Sequence, residues 1–318
     1  MSETTPLRIV FMGTPEFAVP TLEALLSWPG CRVVAVVTAA DKPAGRGRQL
    51  SESAVKQAAV AHGVPVLQPT NLKAPDFQDE LRGYAADLQV VVAFRMLPEA
   101  VWNMPPRGSI NVHASLLPQY RGAAPINWAL IHGERETGVT SFFLQHEIDT
   151  GNLIFQDVVP IADEDDFGTL YGKLKVAGAA LALRTVQAIA AGTAPSIPQV
   201  ASAELRSAPK IQKETGRLDF AQPAAALVNL VRGLSPIPTA FATLPDGRTL
   251  KVFRAQAVAD KAADHAAGQW LTDSRTYLRV QTAEGQLDLL DVQLEGKKRM
   301  PVGEFLRGFN TAALNQPG

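Results

Sequence analysis

The chain has 318 residues, a formal net charge of −1, 46% hydrophobic residues and one cysteine. That length provides for two domains, and the composition supplies a sizeable apolar core. The charge balance excludes a uniformly basic nucleic-acid coat, and the lone Cys31 excludes an intramolecular disulfide and reads as a buried, inert thiol in a reducing compartment.

Met1 to Leu7 lack the basic start and apolar core of a secretory signal. No uninterrupted apolar run reaches the roughly 18 residues that suggest a membrane span. The expectation is a soluble cytoplasmic protein with no membrane partner. Charge is uneven along the chain. From Lys210 onward there are 14 Lys and Arg against 11 Asp and Glu, whereas the rest carries 16 against 20. A mildly basic second part is weak support for a nucleic-acid partner.

Arg8 to Met12 reads as a short buried strand. Gly13 allows a tight turn, and Thr14-Pro15-Glu16 reads as an N-cap, an N1 proline and an acidic first turn of a helix reaching Ser27. Pro20 lies within its early turns and argues for a later start. The opening is Rossmann-like but carries no G-x-G-x-x-G, so no dinucleotide cofactor is expected. Val33 to Thr38 is continuously apolar, as a parallel strand covered on both faces should be. The loop Asp41 to Arg48 holds two glycines, a proline and three basic side chains. By composition it is a solvated surface loop. Glu52 to His62 has a helical pattern closed by Gly63, Val64 to Leu67 a short strand, and Asp76 to Tyr84 another helix. Leu88 to Phe94 reads as a central strand.

Ser109 to Val112 is the next strand, and it carries Asn111, with His113 directly after. Residues two apart on a strand share a face, so an amide and an imidazole point together where the strand opens into a loop. In an open parallel sheet that end is where ligands bind. Both groups can donate to a developing oxyanion, and the imidazole can also move a proton. Asp149, in the turn Asp149-Thr150-Gly151, can orient the ring and fix its tautomer. Taken singly, Asn-x-His at a strand end is more often a turn former beside a half-buried histidine. Val139 to Gln145 and Asn152 to Val159 read as strands joined around Asp149, an antiparallel hairpin. His146 faces solvent or orients the loop, and His132 ends the helix that starts at Pro125. Thr169 to Ala191 is a long Ala- and Leu-rich helix stopped by Gly192.

His113-Ala114-Ser115-Leu116-Leu117-Pro118, followed by Gly122, resembles the motif of folate-dependent formyltransferases. The longer string Asn111 to Asn127, with Glu136 to Thr140 leading into Asp149-Thr150-Gly151, is similar to the methionyl-tRNA formyltransferase family. The resemblance covers nearly the whole chain. It implies a catalytic set of Asn111, His113 and Asp149. It also implies a tetrahydrofolate site using Ser115, Leu116, Leu117 and Pro118, together with Phe94 and Met96 of the loop Ala93 to Pro98. Many relatives have a Tyr-Gly pair and one more residue in that loop, so Arg95 changes its contacts. The Pro43 to Gly47 segment corresponds to an insertion reaching the tRNA acceptor end, with Lys42, Arg46 and Arg48 as phosphate contacts.

Residues 192–209 carry three prolines and few large apolar groups, the composition of a linker with extended structure. Beyond it, Pro223 to Gly233 reads as a helix with Gly233 past its end. Several short strand patterns follow, with Asp246-Gly247 as a hairpin turn. They read as a small β-barrel, and the resemblance implies an OB-like domain. Gly296-Lys297-Lys298-Arg299 is the densest basic run, equally a solvated turn or a phosphate contact.

The expected fold is therefore α/β, with a Rossmann-like, mostly parallel sheet in a formyltransferase domain over 1–191, a linker over 192–209, and an OB-like tRNA-binding domain over 210–318. By resemblance the donor is 10-formyltetrahydrofolate and the acceptor is methionyl-initiator tRNA. No metal is required, since five histidines and one cysteine are scattered without ligand spacing. A monomer is expected. The competing expectations are a formyl transfer to a purine-precursor ribotide or a sugar nucleotide, a hydrolase releasing formate, and a catalytically silent RNA-binding protein.

Overall fold

The computed structural model describes residues 5–44, 49–200, 204–259 and 265–315. It resolves two compact units that interleave in sequence: residues 1–122, 137–160 and 171–207, and residues 123–136, 161–170 and 208–318.

The first unit is built on a seven-stranded sheet. Its strands are β1 (Leu7–Gly13), β2 (Cys31–Val37), β3 (Val66–Leu67), β4 (Leu88–Val92), β5 (Ser109–His113), β6 (Glu136–Phe143) and β7 (Leu153–Pro160). Their spatial order is β7-β6-β5-β4-β1-β2-β3. The ladders among β1 to β5 are parallel, and β6 runs antiparallel to β5. The parallel strands are apolar on both faces because both faces are covered: Ile9, Val10, Phe11, Met12, Leu88, Val90 and Ile110 are all fully buried.

The chain leaves β1 toward β2 and β3, then returns on the other side of β1 as β4. The carboxyl ends of β1 and β4 thus flank a topological switch point, the place where such sheets open a crevice. Gly13 ends β1 there for a steric reason. A Cβ on it would stand 2.8 Å from Ala18 Cβ and 3.0 Å from the Val92 carbonyl oxygen.

The helix after β1 begins later than the Thr14 cap suggests. A 3-10 turn spans Glu16–Ala18 and the α-helix is Val19–Ser27, with Pro20 in its first turn. Thr14 makes no cap because Pro20 can start a helix but cannot sit inside one. The helix Ala54–Ala61 is capped by the Ser53 hydroxyl, which accepts from the Lys56 amide at 3.0 Å, and Gly63 closes it at φ +66°. Cys31 is half-buried rather than fully buried; it donates to the Leu25 carbonyl oxygen at 3.2 Å, and burial pushes its thiol up to about 11.

The helix Phe167–Ala191 lies on β5 and β6. Gly178 faces Val112 and Val139, and the Thr185 hydroxyl donates to Ser141 Oγ at 2.8 Å. By length and composition this helix could cross a membrane, with a mean hydropathy of 1.3, yet 44% of its apolar window is buried within the protein. Lys173, Lys175 and Arg184 interrupt the apolar run. Leu174, Leu181, Ala182 and Val186 on it are fully buried.

The second unit carries an antiparallel sheet: β8 (Ala240–Thr243), β9 (Thr249–Val258), β10 (Trp270–Thr272), β11 (Leu278–Gln281), β12 (Gln286–Leu294) and β13 (Met300–Pro301). The order is β8-β9-β12-β11-β10, with β13 also on β12. The helix Ala224–Leu234 sets Leu227, Val231 and Leu234 into one core with Leu250, Val252, Leu278, Val280, Leu287 and Val292. Gly233 lies inside this helix, not past its end. A Cβ there would stand 2.6 Å from Ile131, and its carbonyl accepts from Asn127 at 2.7 Å, so this glycine serves a close helix approach. Asp246-Gly247 makes the β8–β9 turn, with Gly247 at φ +84°.

Candidate active site

β5 ends at the crevice with Asn111 half-buried and Val112 and His113 buried. Val112 faces the long helix at Gly178, so alternation turns Asn111 and His113 to the other face. The Asn111 carboxamide makes no hydrogen bond to any described residue. Its two N–H groups are open for a substrate oxygen.

Both nitrogens of the His113 ring face protein oxygens. Nε2 lies 2.8 Å from the Tyr120 carbonyl oxygen, and Nδ1 lies 3.8 Å from Asp149 Oδ2. A carbonyl only accepts, so Nε2 carries a proton, and Nδ1 is the nitrogen turned toward the carboxylate. Asp149 is the group expected to fix the tautomer of the ring. Here the Tyr120 carbonyl sets it, because a 3.8 Å separation is too long for a direct hydrogen bond. Asp149 faces the ring as a charge. Side-chain exposures of 8% and 10% keep the pair sheltered from bulk screening.

Asp149 reaches this place through its backbone. It sits at φ +55°, in the left-handed region, and Oδ2 accepts from the Gly122 amide at 3.0 Å. Gly122 itself has φ +125°. Two residues on, Gly151 is obligatory: a Cβ would stand 1.6 Å from the Phe143 carbonyl oxygen. The Asp149-Thr150-Gly151 turn is thereby pressed against the end of β6.

The loop Ser115 to Pro118 is pinned from below. Thr140 Oγ1 donates to the Ser115 carbonyl at 2.6 Å and accepts from the Leu117 amide at 3.1 Å. Gln156 Nε2 donates to Thr140 Oγ1 and to the Leu117 carbonyl, each at 2.9 Å. Ser115 is fully buried and spends its hydroxyl on the Gln119 carbonyl, and Leu117 is also buried. Leu116 and Pro118 remain half-exposed. In the loop after β4, Phe94 is half-buried and Met96 is 71% exposed. Arg95 donates to the Pro69 and Thr70 carbonyls and lies over the Phe94 ring. Among the described residues no group of three or more His, Cys, Asp or Glu could hold a metal ion.

The basic candidates come from two stretches of the chain. Lys42 is exposed, and Arg46 and Arg48 lie outside the described residues. The loop root is anchored at Asp41, whose carboxylate is held below the usual range by Lys56 first and Gln68 second. In the second unit Lys297, Lys298 and Arg299 are exposed. Arg299 is committed: Nε and Nη2 both donate to Asp291 Oδ2, and the guanidinium lies 4.3 Å from the Phe253 ring centre. His132 and His146 are exposed.

Sequence reasoning missed Tyr120, Thr140, Gln156 and Gln199 as parts of the site. Thr140 lay within a quoted motif, but Gln199 sits in the proline-rich stretch with no local mark. Gln199 bridges Arg121 to the Asp149 loop.

Residues 7–186 match the family described as formyl transferase, and residues 210–310 match its C-terminal domain. Proteins named methionyl-tRNA formyltransferase share most of the chain. The one from Bacteroides fragilis is 51% identical, covering 96% of this chain and 95% of its own length. That from Parabacteroides distasonis is 52% identical, covering 96% and 97%. The chain belongs to the methionyl-tRNA formyltransferase family. A solved N-formyltransferase from Helicobacter canadensis, in complex with folinic acid and dTDP-3-aminofucose, superposes with a TM-score of 0.64 at 17% identity, over 89% of this chain and 98% of that one. At that identity the likeness speaks for the fold. Membership of this family accounts for an α/β first unit followed by a separate antiparallel second unit, the architecture expected from sequence.

Proposed function

We propose that the chain transfers the formyl group of 10-formyltetrahydrofolate to the α-amino group of methionyl-initiator tRNA, giving N-formylmethionyl-tRNA for translation initiation. The observation that supports the chemistry is Asn111 and His113 on one face at the end of β5, with the His113 ring between the Tyr120 carbonyl and the Asp149 carboxylate.

The neutral amine attacks the formyl carbon, a C–N bond forms, and the formyl oxygen gains negative charge. Asn111, whose amide has no hydrogen-bond partner among the described residues, donates to that oxygen. His113 works through Nδ1. It takes the proton from the attacking amine, and the resulting imidazolium faces the Asp149 carboxylate. The same Nδ1–H then passes its proton to the folate nitrogen as the old C–N bond breaks. Tyr120 keeps the other ring nitrogen protonated throughout. No serine or cysteine nucleophile is needed.

The residues present suit a pterin donor. Leu116, Pro118, Phe94 and the exposed Met96 offer apolar surface beside polar backbone, with Ser115 and Leu117 shaping the loop from inside. Basic groups hold the tRNA: Lys42, Arg46 and Arg48 in and beside the Pro43 to Gly47 segment, and Lys297 and Lys298, with Arg299 bracing its turn on Asp291. In sequence terms the catalytic domain spans 1–191 and the tRNA-binding domain 210–318, with 192–209 connecting them. The protein acts as a cytoplasmic monomer.

The test is an acceptor panel with 10-formyltetrahydrofolate as donor. Methionine-charged initiator tRNA is expected to yield formylmethionyl ester, with no product from uncharged tRNA, glycinamide ribotide or an amino-sugar nucleotide. Transfer to the ribotide or the sugar nucleotide alone would overturn the acceptor assignment.

A further inference from the structure

The stretch after the long helix contributes to the site from outside every motif. Residues 192–200 continue past the helix, and Ile197 pairs with Leu153 through two backbone hydrogen bonds of 2.8 and 2.9 Å. Asn152 Nδ2 donates to Ser196 Oγ at 2.9 Å. This pairing delivers Gln199, half-buried, to the Asp149 turn.

The Gln199 carboxamide is fully committed. Nε2 donates to the Asp149 carbonyl at 2.9 Å and to the Gly151 carbonyl at 2.8 Å. Oε1 accepts from Arg121 Nε at 3.1 Å and Nη2 at 2.6 Å. A primary amide offers two N–H donors and one oxygen, and every one of them is used. A guanidinium only donates and a carbonyl only accepts, so the amide has one chemically consistent orientation. A glutamate could keep the Arg121 contact but would set a carboxylate oxygen against two carbonyls.

The clamp falls where the backbone needs support. Asp149 is a non-glycine residue at φ +55°, a conformation that persists only where surroundings enforce it. Arg121 precedes Gly122, the residue whose amide holds Asp149 Oδ2. Gln199 therefore ties together the two chain segments that meet at the carboxylate. Further along, the Arg206 carbonyl accepts from the Tyr120 amide at 2.7 Å, and the Arg206 amide donates to Gln119 Oε1 at 2.9 Å. Tyr120 is the residue whose carbonyl fixes His113. The stretch expected to be a linker thus grips the backbone behind both the imidazole and the carboxylate.

We propose that Gln199 is a positioning residue for formyl transfer: through the Asp149 backbone it holds the carboxylate beside His113 Nδ1. The inference rests on the formyl-transfer reading above. It is tested in the full-length chain with Gln199→Met, which keeps the bulk and removes all four hydrogen bonds, and Gln199→Glu, which keeps only the Arg121 side. Val200→Ser, at an exposed neighbour, is the control. Both Gln199 variants are expected to lower kcat about tenfold or more, since small misplacements of reacting groups are costly. KM for 10-formyltetrahydrofolate should stay within about twofold, the pattern of a lost transition-state interaction. Val200→Ser should match the parent.

A second readout is independent of activity. In 15N-histidine NMR spectra, the His113 Nδ1 resonance, assigned by its loss in His113→Asn, is expected to move in both Gln199 variants and not in Val200→Ser. A Gln199→Met protein with parental kcat, or an unmoved His113 resonance, overturns the proposal. An inactive parent whose His113 resonance still responds to Gln199 would sink the formyl-transfer reading and leave the clamp standing.

Discussion

At the scale of single residues, the site depends on side chains that never meet a substrate. Thr140 holds three partners at once, and two of them belong to the backbone of the loop that carries Leu116 and Pro118. Thr140→Val keeps the shape and strands a buried amide and carbonyl. It should cost about 1–3 kcal/mol, the penalty of an unsatisfied buried polar group, and raise KM for the folate donor more than it lowers kcat. Denaturant unfolding and steady-state kinetics check the two halves. Asn111 and His113 were legible because strand alternation and chemistry coincide at positions two apart. Tyr120 was not, since it acts through a carbonyl oxygen, and every residue has one. Gln199 was hidden for a different reason: its partners are 78 and 50 residues away, and nothing in a proline-rich stretch marks a tertiary amide clamp.

At the scale of elements, glycines fix how closely segments meet, and this sets the height of Asp149. Gly151 has no space for a side chain against the Phe143 carbonyl. Gly151→Ala must push the Asp149 turn off the end of β6. It is expected to destabilise by more than about 2 kcal/mol and to abolish most turnover, with thermal unfolding and kcat as the measures. The buried parallel strands were readable from their continuous apolar runs, because two covered faces leave no polar side. Helix starts were less readable. Thr14-Pro15 has the composition of a cap, but Pro20 five residues on dictates where regular hydrogen bonding begins. Gly233 looked like a terminator and is instead a contact point inside its helix, a role set by the neighbouring Asn127 and Ile131.

At the scale of the whole molecule, a near-neutral protein must recognise a polyanion with local groups. Lys297 and Lys298 stand exposed beside an arginine already spent on Asp291. The Lys297→Ala/Lys298→Ala pair should raise KM for charged tRNA and reduce the salt slope of binding by about 2, roughly one unit per phosphate contact. Folate-dependent kcat should be unchanged. Equal salt slopes in parent and variant would remove this turn from the tRNA surface. The central claim, that the end of β5 performs the transfer, is tested most directly by the single-turnover rate of His113→Ala with methionyl-tRNA and 10-formyltetrahydrofolate, alongside equilibrium folate binding. The account predicts a rate lower by about a hundredfold or more, as for loss of a general acid–base group, with folate affinity within about threefold of the parent. A near-parental rate in a folded His113→Ala protein would contradict it.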